Sequence, residues 1–211
     1  MAHSRMLLSF CVAAVVALAG GGCRPSTTGS ARSLDGTQQT DEDTSEDTSQ
    51  PGGDTSMTPT IHSSAFSNNE PIPVRFTADG ADVSPPLSWS GVPDNARELA
   101  LIMDDPDAPG AQPWVHWVIY KIPADAGGLA EGVATTERPS EPAGSLQGKN
   151  SWGNIGYGGP SPPSGLHHYH FKLYALDTEL NVVVRLDKAG LLAAMEGHIV
   201  VQAELIGTYR R

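Results

Sequence analysis

Cysteine is nearly missing from this chain, and where it occurs it is confined to one end. The only two, Cys11 and Cys23, fall within the first 23 of 211 residues. The remainder therefore holds no disulfide and no thiol nucleophile. Positive charge is scarce as well: 13 Lys and Arg stand against 24 Asp and Glu, a formal net charge of −11. No basic run occurs anywhere, which excludes a nucleic-acid partner, because neutralising a phosphate backbone needs a clustered basic face. Aromatic residues are absent between residues 24 and 60. The spacings G-x-S-x-G, H-E-x-x-H and H-x-x-x-H do not occur, so neither a nucleophile elbow nor a helical zinc pair is encoded.

What is present begins with Arg5 and the apolar run Met6–Ala19, followed by Gly20-Gly21-Gly22-Cys23. A positive start, an apolar core and small residues describe a secretory signal over residues 1–22. The run is shorter than the roughly 20 residues of a membrane span. Cys23, placed just after small residues, is similar to the lipobox cysteine of bacterial lipoproteins, with Gly20 where leucine is usual. The sequence favours lipidation at Cys23 over a signal cleaved nearby that leaves a free thiol. The protein is then expected in the cell envelope, anchored to a membrane by its N-terminal lipid.

Residues 23–60 are rich in Ser, Thr, Asp, Gly and Pro, with acidic clusters at Asp41-Glu42-Asp43 and Glu46-Asp47. That composition buries too little apolar surface to offset the entropy of ordering, and predicts a disordered tether. From Ile61 to Arg211 the texture changes, and about 150 residues suffice for one good core.

Within 61–211 the pattern is mainly β. Pro73–Thr77 and Leu87–Ser90 alternate; Glu98–Met103 and Trp114–Tyr120 are continuous apolar runs of strand length, and Tyr169–Leu176 and His198–Ile206 add two more. Turn residues separate them. Near 187–197 one helix is signalled, with Asp187 as N-cap, Lys188–Glu196 as its body and Gly197 as its stop. The expected architecture is an antiparallel β-sandwich with a few short helices.

Three segments concentrate polar side chains that such a fold must explain. Asp104-Asp-Pro-Asp-Ala-Pro-Gly110 presents Asp105 and Asp107 at a strand end between stiffening prolines. It also reads as an Asx–Pro turn that only caps backbone N–H groups. Trp114-Val-His116-Trp117 buries a histidine, either as a core residue or as an anion receptor beside a carboxylate. The loop Gly158–Pro163 then empties into a strand where alternation puts His167, Tyr169, Phe171 and Leu173 on the core face, and His168, His170 and Lys172 on the other.

Asp105-Pro-Asp-Ala-Pro109, Trp114-x-His-Trp117, Gly159-Pro-x-Pro-Pro163, Gly165-Leu-His-x-Tyr169 and Tyr174-Ala-Leu-Asp177 stand in one order, after Asp79-Gly80 and Ser84-Pro-Pro-Leu-Ser-Trp89. This set resembles the phosphatidylethanolamine-binding protein family, which includes the Raf kinase inhibitor proteins and a bacterial YbhB/YbcL-type branch. The resemblance implies a compact antiparallel sandwich with a small pocket for phosphate-like anions or a phospholipid headgroup. It carries the pocket over to Asp105, Asp107, Trp114, His116, Pro162, Pro163 and His167, and also to Tyr157. His168 departs from the family, where arginine is common. His116 and His167 are expected to hold the anion as imidazolium groups, oriented by Asp105 and Asp107, without catalysis, metal or cofactor. A hydrolase and an envelope protein-interaction or inhibitor module are the competing readings. Bacterial members often pair, so a homodimer is the expected assembly.

Overall fold

The computed structural model describes residues 59–211. The signal at 1–22, Cys23 and all but the last two residues of the 23–60 tether lie outside the described residues. The strands, in chain order, are β1 (Thr60–His62), β2 (Glu70–Pro71), β3 (Leu87–Ser90), β4 (Glu98–Asp105), β5 (Trp114–Pro123), β6 (Gly128–Leu129), β7 (Leu146–Gln147), β8 (Leu166–Leu176) and β9 (Ile199–Arg210). One α-helix, α1 (Lys188–Met195), precedes β9.

The strands form a three-stranded sheet, β1-β3-β6, and a six-stranded sheet, β2-β9-β8-β4-β5-β7. Every pairing is antiparallel except β2 with β9, which run parallel. Strand β4 sits at the centre of the larger sheet between β5 and β8, and all eight of its residues are buried. Its uninterrupted apolar sequence is the signature of a strand covered on both faces.

Alternation along β4 distributes its side chains to two cores. Leu99, Leu101 and Met103 join Ile61, Trp89, Trp117 and Phe171 between the two sheets. Ala100 and Ile102 join Val118, Tyr120, Leu191 and Met195 under α1. Truncating a residue such as Leu101 to alanine in so closed a site typically costs about 2–5 kcal/mol. At its C-terminal end the strand continues the same alternation with two carboxylates. Asp104 faces the α1 side, where Lys172 and Lys188 donate to it; Asp105 faces the interior between the sheets.

The helix starts at Asp187, whose carboxylate accepts from Gly190 N at 2.8 Å. Gly197, two residues past its end, takes φ +79°, a left-handed conformation open to glycine. The expected strand over Pro73–Thr77 is instead a 3₁₀ turn at Val74–Phe76. Val74 is exposed while Phe76 is buried. A single inward residue does not distinguish period two from period three, and Pro73 with Thr77 closes the turn through Phe76 N→Pro73 O and Thr77 N→Val74 O.

Candidate functional site

A β-bulge builds the site. Met103 pairs with Trp117 and Asp104 with Val115, so His116 is an extra residue opposite one step of β4. Val115 and Val118 then both face α1, while Trp114, His116 and Trp117 turn to the other side. Bulges of this kind re-aim side chains beside functional sites. The bulged carbonyl is not lost: His116 O accepts from Gly158 N at 3.0 Å.

On the neighbouring strand, β8 begins at Leu166 rather than Tyr169. His167 and Tyr169 consequently share one face of a strand, two residues apart. Together with the end of β4 and the loop at 158–163 they enclose a cavity of about 270 Å³. Asp105, Trp114, His116, Pro162, Pro163 and His167 line it, joined by Ala108, Pro109, Trp152, Ser161 and Tyr169.

Asp105 organises the floor. Its Oδ1 accepts from the amides of Asp107 at 2.8 Å and Ala108 at 3.1 Å, and its Oδ2 lies 2.7 Å from His167 Nδ1. One carboxylate thus makes the Asx turn and orients the buried imidazole. The two competing roles for this segment coexist in a single side chain.

His116 is 2% exposed. Burial lowers its pKa, and the carbonyls of Gly158 and Gly159 with the nearby Asp105 and Asp104 charges offset only part of that. The ring is therefore neutral near pH 7, which corrects the expected imidazolium. Its Nδ1 lies 2.7 Å from Gly158 O. A carbonyl only accepts, so Nδ1 carries the proton and Nε2 is an acceptor.

Two further donors line the cavity without a partner: Trp114 Nε1 and Tyr169 Oη, both buried, have none among the described residues. Burial, and then the Asp105 charge, push the Tyr169 hydroxyl well up, against the opposing effects of the Ser161 amide and the Arg211 charge. It stays a neutral O–H. Trp152, 45% exposed, stands edge-on to both Trp114 at 5.4 Å and His116 at 5.0 Å.

Two expected residues are placed elsewhere. Asp107 is half-exposed and does not line the cavity; its Oδ2 accepts from His168 N at 2.8 Å and pairs with His168 Nδ1 at 2.7 Å. Partial burial would raise its carboxyl, but the hydrogen bonds from His168 hold it below the ordinary value. Asp107 therefore partners His168 instead of His116 or His167. Tyr157 is buried away from the cavity, with its hydroxyl donating to Phe76 O at 2.6 Å and its ring edge-on to Trp117.

Larger cavities exist. One of about 390 Å³ lies beside the start of α1, with Lys149, Ser151 and Lys188 on its wall. Neither it nor a cavity of about 450 Å³ beside Glu98 and Lys121 has a buried donor without a partner, so size does not select the site. Among the described residues no group of three or more His, Cys, Asp or Glu is arranged to hold a metal ion.

Comparison with known proteins agrees with this architecture. The family model described as phosphatidylethanolamine-binding protein matches residues 62–210. A UPF0098 protein of Methanothermobacter thermautotrophicus is 54% identical over 147 residues, which span 70% of this chain and 95% of that protein. A second, from Pyrococcus horikoshii, is 44% identical over 162 residues, spanning 76% and 80%. Among solved structures, a phosphatidylethanolamine-binding protein homologue from Chlamydia trachomatis superposes with a TM-score of 0.67 at 41% identity, covering 74% of this chain and 99% of its own. YbcL of E. coli, described as a member of the mammalian family of the same name, gives 0.68 at 30% identity over 72% and 98%.

Proposed function

The chain belongs to the phosphatidylethanolamine-binding protein family, and from that premise we propose that it is a non-catalytic receptor for small phosphate-like anions. One observation carries the reading: Trp114 Nε1–H and Tyr169 O–H are buried donors without partners on the wall that also holds the Asp105–His167 pair. A buried donor left unmade costs about 1–3 kcal/mol. An anion in the cavity removes that penalty at both groups and finds a histidine held in place by Asp105.

The absence of catalysis is part of the proposal. Ser161 is the one aliphatic hydroxyl on the lining, and no hydrogen bond joins it to either histidine among the described residues; the Nδ1 atoms engage Gly158 and Asp105 instead. The N-terminal features extend the proposal to an exported protein, lipidated at Cys23 and held by its acidic tether at a membrane surface. Mass spectrometry of membrane-extracted protein tests that part, and an unmodified Cys23 overturns it.

Calorimetric titration with inorganic phosphate between pH 5 and 8 tests the site. Saturable binding is expected, weakened about tenfold by Trp114→Phe and by Tyr169→Phe, the scale of one hydrogen bond to a charged group. Failure to bind at every pH, or unchanged binding by the doubly substituted protein, overturns the assignment.

A further inference from the structure

The cavity is unusual for an anion site in what its wall omits. None of its lining residues is lysine or arginine. The family's common arginine position is His168 here, and that ring pairs with Asp107 outside the lining. The remaining source of positive charge on the wall is histidine, and Asp105 stands 2.7 Å from His167 Nδ1. With both ionised, that pair is neutral as a unit.

Against this, the wall offers a bare acceptor. His116 Nδ1 donates to Gly158 O at 2.7 Å, which leaves the Nε2 lone pair without a partner among the described residues. The groups facing this ring are Asp105 from β4, the Gly158 and Gly159 carbonyls of the loop, and the Tyr169 and Trp152 rings, while Asp104 acts only through its charge from the opposite face of β4. No fixed cation is among them. An oxygen without a proton would meet His116 Nε2 lone pair to lone pair. A dianion would bring a second charge to a wall whose nearest guanidinium, Arg211 behind Pro162 O, is already paired with Asp79.

We propose that the cavity selects a phosphoryl group still carrying one acid proton, which means inorganic phosphate or a phosphomonoester as its monoanion, with the P–OH donating to His116 Nε2. The proposal rests on the anion-binding reading above and narrows its ligand class. The other phosphoryl oxygens accept from Trp114 Nε1, from Tyr169 Oη and from His167 Nε2 when that ring is protonated. Every buried polar atom of the wall then has a partner of the right kind. A phosphodiester, such as the linkage inside a phospholipid headgroup, has no such proton to give.

Three probes separate the possibilities on the full-length chain by titration calorimetry at pH 6.0. Methyl phosphate has the monoanionic charge and the proton; sulfate matches its shape without the proton, and dimethyl phosphate matches its charge without the proton. Methyl phosphate is expected to bind at least tenfold more tightly than either. His116→Gln, which replaces the bare acceptor by an amide able to donate, is expected to bring both within tenfold. If sulfate or dimethyl phosphate binds the native chain within tenfold of methyl phosphate, proton selection is wrong while anion binding stands. Selectivity that survives in His116→Gln overturns the role given to that ring. If none of the three binds, the anion-binding reading fails as well.

Discussion

His116 and Gly158 hold each other at two points. The Gly158 amide donates to the His116 carbonyl at 3.0 Å, and His116 Nδ1 donates to the Gly158 carbonyl at 2.7 Å. The first contact uses a backbone group freed by the bulge, and the second fixes which ring nitrogen faces the cavity. Loop and strand are thereby locked in one register before any ligand arrives, which limits the ordering cost of binding.

Glycine at 158 and 159 should matter for different reasons. A Cβ at Gly159 would stand 2.6 Å from Phe76 O and 2.8 Å from Asp82 Oδ1, both fixed by the fold. Gly159→Ala is expected to lower stability by about 1–3 kcal/mol in urea unfolding. At Gly158 the Cβ meets the Trp152 ring edge at 2.9 Å. That half-exposed ring has room to swing, so Gly158→Ala should keep stability within about 1 kcal/mol and weaken phosphate binding in calorimetry.

Burial of His116 makes folding sensitive to acid. Its folded pKa is below the ordinary 6.5, so just below that pH the unfolded chain binds more protons. This contribution to stability is complete above about 6.5 and is lost as pH falls through the folded value. For one such group the slope is at most about 1.4 kcal/mol per pH unit. The urea midpoint should fall from pH 7.5 to pH 5.0, and fall less in His116→Gln; equal slopes in the two proteins refute the attribution.

Neighbouring carboxylates of β4 should separate cleanly by phenotype. Asp104 is fully buried with Lys172 and Lys188 as partners, and Asp105 with His167. Removing one partner from a buried pair costs about 3–5 kcal/mol, so Asp104→Ala and Asp105→Ala should both destabilise. Only Asp105→Ala should abolish phosphate binding. Asp104→Ala should instead speed hydrogen exchange in Lys188–Met195, because Lys188 ties α1 to the sheet through that carboxylate.

Tyr157→Phe tests the placement of that residue under the site and outside it. Its hydroxyl satisfies the Phe76 carbonyl in the interior. Removal should cost about 1–3 kcal/mol of stability in urea unfolding and leave phosphate affinity unchanged.

Much of this was legible from residue order alone. The continuous apolar run ending at Asp104-Asp105 marks a central strand, and the Asp187 cap with Gly197 marks the helix. Alternation after Leu166 separates His167 from His168. Less visible were features set by pairing partners. A bulge depends on the register between β4 and β5, which no local pattern records, so the common orientation of Trp114, His116 and Trp117 emerged only in three dimensions. Tyr169 had a signal, lying two residues from His167 on the same strand face, but a tyrosine in an apolar run reads first as core. Trp152 had none, because its contacts come from a loop. Charge state was hidden for the same reason: whether His116 is an imidazolium depends on how much water reaches it.

The four tryptophans are divided two and two by this architecture. Trp89 and Trp117 are sealed in the core, donating to Ala126 O and Gln147 Oε1. Trp114 and Trp152 touch one another at the cavity, the second of them 45% exposed. Half of the chromophores are thus insensitive background and half stand where a ligand must pass. The protein carries its own optical gauge of occupancy, and intrinsic emission can follow entry into the cavity without any label.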